Sequence, residues 1–217
     1  MRRAGTIDPA AVVGRHLDLG CGDKPRNPYR RAEIVGVDVA GNAAGVDIRR
    51  ANVTIEPIPF PDASFDSVSA YDFLEHVPRV LATADGRGTR FPFVELMNEI
   101  WRVLLPGGLF YGQTPAFPHA TVFQDPTHVN FVTDQSHTYF TRPRLMARPY
   151  GFHGDFEVVR VLRVRPEFEY EPVDPGWYRR LLMHRRQRRG KASHLIWEFR
   201  KPGGGNGPKP LTSDMPL

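Results

Sequence analysis

An α/β fold built on a largely parallel sheet is what this sequence predicts, and three observations carry the prediction. Strand-like and helix-like segments alternate along the chain with no internal repeat. The first strand-like segment runs into a glycine turn and then a second strand that ends in an acid, "HLDLGCGDKPRNPYRRAEIVGVD" from His16 to Asp38. The chain has 217 residues with 41% hydrophobic content, enough for one ample core and hence one domain.

The elements follow in order. Strands are expected at "RHLDL" (Arg15 to Leu19), "EIVGVDV" (Glu33 to Val39), within Val46 to Val53, and at "FDSVSAY" (Phe65 to Tyr71). Later strands are expected at "GLFYGQT" (Gly108 to Thr114), "FEVVRVLRV" (Phe156 to Val164) and "SHLIWEF" (Ser193 to Phe199). The clearest helix is "FPFVELMNEIWRVL", in which Phe93, Leu96, Met97, Ile100 and Leu104 share one face. Pro106 and the Gly107-Gly108 pair should stop it. Residues 115–150 are long, irregular and rich in His, Thr, Pro and aromatics, which marks a functional insertion rather than a passive connection. Residues 202–217 carry Gly, Pro and polar residues with few core formers and read as a disordered tail.

Composition excludes several classes. The only cysteine is Cys21, so neither an internal disulfide nor a Cys-cluster zinc site holds the fold together. "MRRAGTIDPAAVVGR" lacks the apolar core of a signal peptide, and no stretch reaches membrane-span length, so a cytoplasmic location is expected. The formal charge is +5 and the pI about 9.6. The excess concentrates in "RRLLMHRRQRRGK" (Arg179 to Lys191), with seven Lys/Arg and no acid. That run is read first as a solvated basic face and second as a nucleic-acid contact.

The glycine turn narrows the ligand. Gly20 and Gly22 let the backbone turn sharply and approach a bound molecule. Asp38 ends the next strand, where a carboxylate can take ribose hydroxyls. A pyrophosphate would need the N-terminus of a regular helix after the turn, but Pro25 and Pro28 leave room for one or two helical turns at most. Asp18 and Asp23 make the turn acidic, which suits a cation. A nucleoside with a positive sulfonium and no phosphate meets these demands, and S-adenosylmethionine is that ligand.

At this point the chain resembles the class I S-adenosylmethionine-dependent methyltransferases, from about Val13 to Phe199. "LDLGCG" is similar to the family's first motif and "VGVDVA" to its ribose-binding second strand. "PIPFPDASFDSVSAYDFLEHV" is similar to the stretch around the fourth strand, and "NEIWRVLLPGGLFYGQTP" to the helix, turn and fifth strand that follow. The resemblance implies a seven-stranded, mostly parallel, doubly wound sheet with the last strand antiparallel, spanning residues 1–201 with the 115–150 insertion on the substrate side. It implies S-adenosylmethionine as cofactor, with Gly20, Cys21 and Gly22 at its methionine end, Asp18 beneath, and Asp38 and Val39 at its ribose. It also puts Asn52 and Val53 near the adenine, and Tyr71 and Asp72 near the reacting methyl. "EHV" (Glu75, His76, Val77) recurs in the family; local hydrogen bonding in a short helix is expected of it rather than a catalytic dyad.

Methyl transfer from sulfonium is a one-step displacement, so positioning does much of the work. A hydroxyl acceptor also needs its proton removed. The candidates lie in "TPAFPHATVFQDPTHVNFVTDQSHTYF", with Asp125 and His128 expected as the catalytic pair. A turn at Pro126 would present them as base and orienter or as two metal ligands. No tight ligand cluster is visible, so no metal is expected. Gln113, Thr114 and His119 are expected to line the same pocket. The resulting reading is a methyltransferase acting on a small-molecule hydroxyl, a sugar or glycan precursor. RNA methylation through the basic run, or non-catalytic cofactor binding, are the alternatives.

Overall fold

The computed structural model describes residues 13–41, 47–166, 169–171, 176–178, 181–182, 185, 190 and 192–203. Val46, most of the basic run and residues 204–217 lie outside these, and with them most of what was expected of the run and the tail. Nine strands are described: β1 (Arg15–Leu19), β2 (Glu33–Asp38), β3 (Ile48–Arg50), β4 (Phe65–Tyr71), β5 (Leu81–Ala82), β6 (Thr89–Arg90), β7 (Leu104–Pro115), β8 (Glu157–Val164) and β9 (His194–Arg200). Seven form one sheet in the order β3-β2-β1-β4-β7-β9-β8, while β5 and β6 make a small separate hairpin. The pairs β2–β3, β1–β2, β1–β4 and β4–β7 are parallel. The last strand, β9, runs antiparallel to both its neighbours. This is the expected doubly wound architecture, and the strand order reverses between β1 and β4.

Alternation decides the two faces of the sheet. Leu17, Val68, Phe110 and Phe199 lie in register on one face, with Leu19, Val37, Ala70 and Trp197 beside them, and all are buried. Helix α1 (Pro92–Val103) covers this face through Leu96, Met97, Ile100 and Val103. Pro92 sits in its first turn, where a missing N–H costs nothing. The helix ends one residue earlier than its apolar stripe suggested. Leu104 already pairs with Phe65, and a register shift after that pair lets Pro106 and Gly107, at φ 81°, pass through the strand rather than merely end the helix.

The opposite face is polar. His16, Asp18, Ser67, Ser69, Gln113 and Glu198 are buried there. Tyr29 packs edge-on and Tyr170 tilted against Tyr111 on this side, with ring centroids 6.4 and 5.5 Å away. Glu198 accepts a hydrogen bond from the Tyr29 hydroxyl at 2.8 Å and pairs with Arg160 at 2.5 Å. A carboxylate this deep is tolerated because its oxygens are satisfied.

The β1–β2 crossover goes further than the expected one or two helical turns at most. The β1–β2 connection contains no helix at all. Pro25 and Pro28 remove two donors, the Asn27 side chain bonds the Arg31 backbone through both its oxygen and its nitrogen, and the Asp18 carboxylate takes the Arg26 N–H at 2.7 Å. Side chains therefore satisfy the backbone that a helix would have satisfied. Residues 115–150 are irregular as expected but well packed. They hold a short helix α2 (Thr121–Gln124) and two 3-10 turns, and bury Val122, Val132, Phe140 and Ala147. Among the described residues, no helix is long and apolar enough to cross a membrane.

Candidate active site

The β1 turn lies at the carboxyl edge of the sheet, at the switch point where ligands bind in such folds. Gly20 and Gly22 adopt φ of 63° and 60°, the left-handed region that favours glycine. A side chain at Gly20 would also strike the Phe73 ring at 2.3 Å. The turn is tied to β2 by the Gly20 N–H on the Val37 carbonyl and the Gly22 N–H on the Asp38 carboxylate, 2.9 and 3.0 Å long. The other Asp38 oxygen takes the Ala40 N–H at 2.9 Å. Each oxygen keeps a lone pair for one hydroxyl of a vicinal diol.

Beneath the turn, Asp18 is 2% exposed. It accepts from the Ser69 hydroxyl at 2.5 Å and the Arg26 N–H. Burial pushes its carboxyl up to about 7, against the pull of those two hydrogen bonds. Ser69 gives its one proton to Asp18, so the contact at 2.8 Å from His16 Nε2 makes the imidazole the donor there. Burial, with Arg31 nearby, drops His16 to about 3 and keeps it neutral. Burial first, then Asp18 and Asp38, push the Cys21 thiol up to about 12, so it is no nucleophile.

Beyond the carboxyl ends of β4 and β7 opens a cavity of about 560 Å³. Asp72, Glu75, His76, Asp125, His128 and His194 line it. Phe73, between Asp72 and the 3-10 turn that carries Glu75, packs on Gly20. Glu75 and His76 sit in a 3-10 turn (Leu74–His76) just after β4. The Glu75 backbone carbonyl holds the Val129 and Asn130 N–H groups at 2.8 and 3.1 Å, which docks the His128 loop over this turn. The Glu75 carboxylate is buried, takes the Thr114 hydroxyl at 2.9 Å on one oxygen, and points the other at His128 Nε2, 3.9 Å away. Burial raises this carboxyl to about 7. At the opposite wall His194 Nε2 lies 3.1 Å from Asp72.

The structure thus gathers some expected site residues and separates others. Gly20, Gly22, Asp18 and Asp38 meet at one turn, and Val39 is exposed beside them. Tyr71 and Gln113 pair in register on the polar face. Val53 is buried in the core and lines a smaller cavity of about 250 Å³ with Ile55, Arg90 and Glu95. The Asn52 oxygen, expected to take the adenine amino group, already accepts from the Thr54 N–H and hydroxyl at 3.3 and 2.6 Å. It caps its own turn, and its amide nitrogen is what remains. Asp125 lines the cavity and uses one oxygen, Oδ1, on Thr127, through the N–H at 2.8 Å and the hydroxyl at 2.6 Å. The carboxylate that points at His128 Nε2 is that of Glu75. His119 lies in a different cavity, with Asp134 and Arg163, where its ring takes the Thr121 N–H. The Glu75–His76 pair was expected to serve only local structure. The clue to more was an acid and a histidine directly after a strand that ends at the switch point.

Comparisons with known proteins agree with this geometry. The family model described as a methyltransferase domain matches residues 17–112, from β1 into β7. No curated protein sequence matches the chain. Among solved structures, an S-adenosylmethionine-dependent methyltransferase from Mesorhizobium loti is 14% identical with a TM-score of 0.50, over 88% of this chain and 93% of that one. Its counterpart from Archaeoglobus fulgidus is 13% identical with a TM-score of 0.50, over 87% and 86%. A candidate methyltransferase from Bacillus halodurans is 13% identical with a TM-score of 0.51, over 88% and 94%. These likenesses are of fold. With the glycine turn and the switch-point acid, the match makes residues 17–112 an S-adenosylmethionine-dependent methyltransferase domain. S-adenosylmethionine is its cofactor.

Proposed function

We propose that the protein methylates a hydroxyl of a small molecule, of the sugar or glycan-precursor class, with the acceptor seated in the cavity beyond β4 and β7. The observation that carries this reading is the buried Glu75 carboxylate facing His128 in a cavity of about 560 Å³. That volume suits a small ligand. An amine acceptor needs little help with its proton, whereas a hydroxyl needs a group to take it.

His128 is equipped for that task. Its Nδ1 lies 3.1 Å from the Val122 carbonyl, which can only accept, so Nδ1 carries the proton and Nε2 the lone pair. A proton taken from the acceptor onto Nε2 would give an imidazolium beside the Glu75 carboxylate, which stabilises it. The acceptor oxygen would attack the sulfonium methyl, and the carbon–sulfur bond would break with its electron pair on sulfur. Asp18 would lie under the cofactor's ammonium, Asp38 would hold the ribose, and Tyr71 and Asp72 would flank the methyl. Gln113 would line the polar face beside them. Asp125 acts at one remove, through Thr127, and the 115–150 segment forms the acceptor's side of the cavity.

An acceptor screen, sugars and phenols before amines and RNA, tests the class. On the acceptor found, His128→Ala should lower turnover about 10²–10⁴-fold. Its calorimetric affinity for S-adenosylmethionine should stay near the parent's. Equal turnover of the variant would overturn the base, and RNA outpacing every small molecule would overturn the substrate class.

A further inference from the structure

We propose that Glu75, His76 and His128 form a binding site for one divalent first-row transition-metal ion, in the wall of the acceptor cavity. One donor atom from each of the three lies within 4.8 Å of the others. Two imidazoles and one carboxylate form a donor set that suits such ions better than magnesium or calcium.

Three independent features point to an ion. The first is the histidine tautomers. His128 Nδ1 donates to the Val122 carbonyl. His76 Nδ1 lies 2.9 Å from the Thr127 hydroxyl, whose single proton is already given to Asp125. His76 must therefore donate there, and both rings are left with the lone pair on Nε2. Histidines that ligate metals are oriented in this way, with the other ring N–H held by an oxygen acceptor. The Asp125–Thr127 pair thus reads as the support for His76 rather than as a partner of His128.

The second feature is the buried Glu75 Oε1, which has no hydrogen-bond partner among the described residues. It faces His128 Nε2 at 3.9 Å, beyond hydrogen-bond reach. Glu75 is 1% exposed, and an unpaired buried carboxylate oxygen is costly. An ion with bonds of about 2.1 Å would hold such donors ~3.4 Å apart in tetrahedral geometry, so modest side-chain rotation closes the set. The third feature is the open position. The same cavity continues to Asp72 and His194, which leaves room for an acceptor oxygen as a further ligand.

The purpose assigned to the ion rests on the hydroxyl-methylation reading; its binding does not. A Lewis acid there acidifies the acceptor hydroxyl, whose O–H bond breaks with the proton passing to solvent. The oxygen then attacks the methyl carbon as before. In the loaded protein His128 Nε2 serves as ligand, and the ion takes over the task assigned to the imidazole.

The test is direct binding. Full-length protein is stripped with a chelator and titrated with Co²⁺, read by its visible absorption, and with Zn²⁺, read by calorimetry. One ion per chain is expected. Glu75→Gln, His76→Ala and His128→Ala should each weaken binding 100-fold or more, and Thr127→Val about 10–100-fold through the loss of the His76 support. His153→Ala, an exposed histidine elsewhere, should bind as the parent does. Melting with S-adenosylmethionine reports whether each variant is folded. Absence of saturable binding, or equal affinity in the three ligand variants while they remain folded, would overturn the site. If no ion binds but His128→Ala still abolishes turnover, the ion is refuted and the base stands. If an ion binds at these residues and no hydroxyl is methylated, the site stands and the substrate reading falls.

Discussion

Asp18 ties the β1–β2 connection to the polar face of the sheet. It sits on the polar face of β1 because alternation points it there, and Ser69 and the Arg26 N–H satisfy it in place of water. Burial raises its carboxyl to about 7, so near neutrality the free protein holds it partly protonated. A cationic cofactor favours the charged form and must pull that value down. Binding near pH 6 should therefore release about half to one proton, and the release should vanish well above the free-state value, where Asp18 is already ionised. Calorimetry in two buffers of different ionisation enthalpy measures the proton count. Asp18→Asn should abolish the release; an unchanged count in that variant would remove Asp18 from the cofactor site. The same residue illustrates what single positions disclose in sequence. Asp18, Gly20, Gly22 and Asp38 were legible because one short stretch contains the whole turn. Asn52 was not, since only the fold shows Thr54 occupying its oxygen.

Among the elements, α1 was the most legible and its ending the least. Its apolar stripe is intrinsic to the sequence, whereas its terminus is set from outside. Lys201, just past β9, reaches back to donate to the Trp101 and Leu104 carbonyls at 2.8 and 2.7 Å, and lies 3.9 Å over the Trp101 ring. It satisfies carbonyls that the helix leaves open and complements the helix dipole. Lys201→Met keeps the stem but loses two charge-assisted hydrogen bonds, a cost of about 1.5–3 kcal/mol. The melting temperature should fall by roughly 3–12 °C in a chain of this size. An unchanged melting curve would show that the cap is idle. The β1–β2 crossover was partly legible for a related reason. Proline content showed that the β1–β2 connection would be short of helix, but only the tertiary partners show how its backbone is satisfied without one.

For the molecule as a whole, cofactor binding should appear as stability. A ligand that binds only the folded state at 100 times its dissociation constant adds about 2.7 kcal/mol. For a chain of this length that corresponds to a rise in melting temperature of roughly 5–11 °C. S-adenosylmethionine and S-adenosylhomocysteine should both produce it and NAD should not, because the proline-broken turn offers no helix N-terminus to a pyrophosphate. No rise with either sulfur nucleoside would contradict the cofactor assignment. The sequence by itself determined the strands of the sheet, the glycine turn with its acids, and the class of cofactor, because each depends on residues close together in the chain. Only the tertiary structure decided that Glu75 and His76 join His128 and Asp125 in one cavity. That meeting depends on the Glu75 carbonyl capturing a loop from far along the chain, and no local pattern encodes so distant a contact.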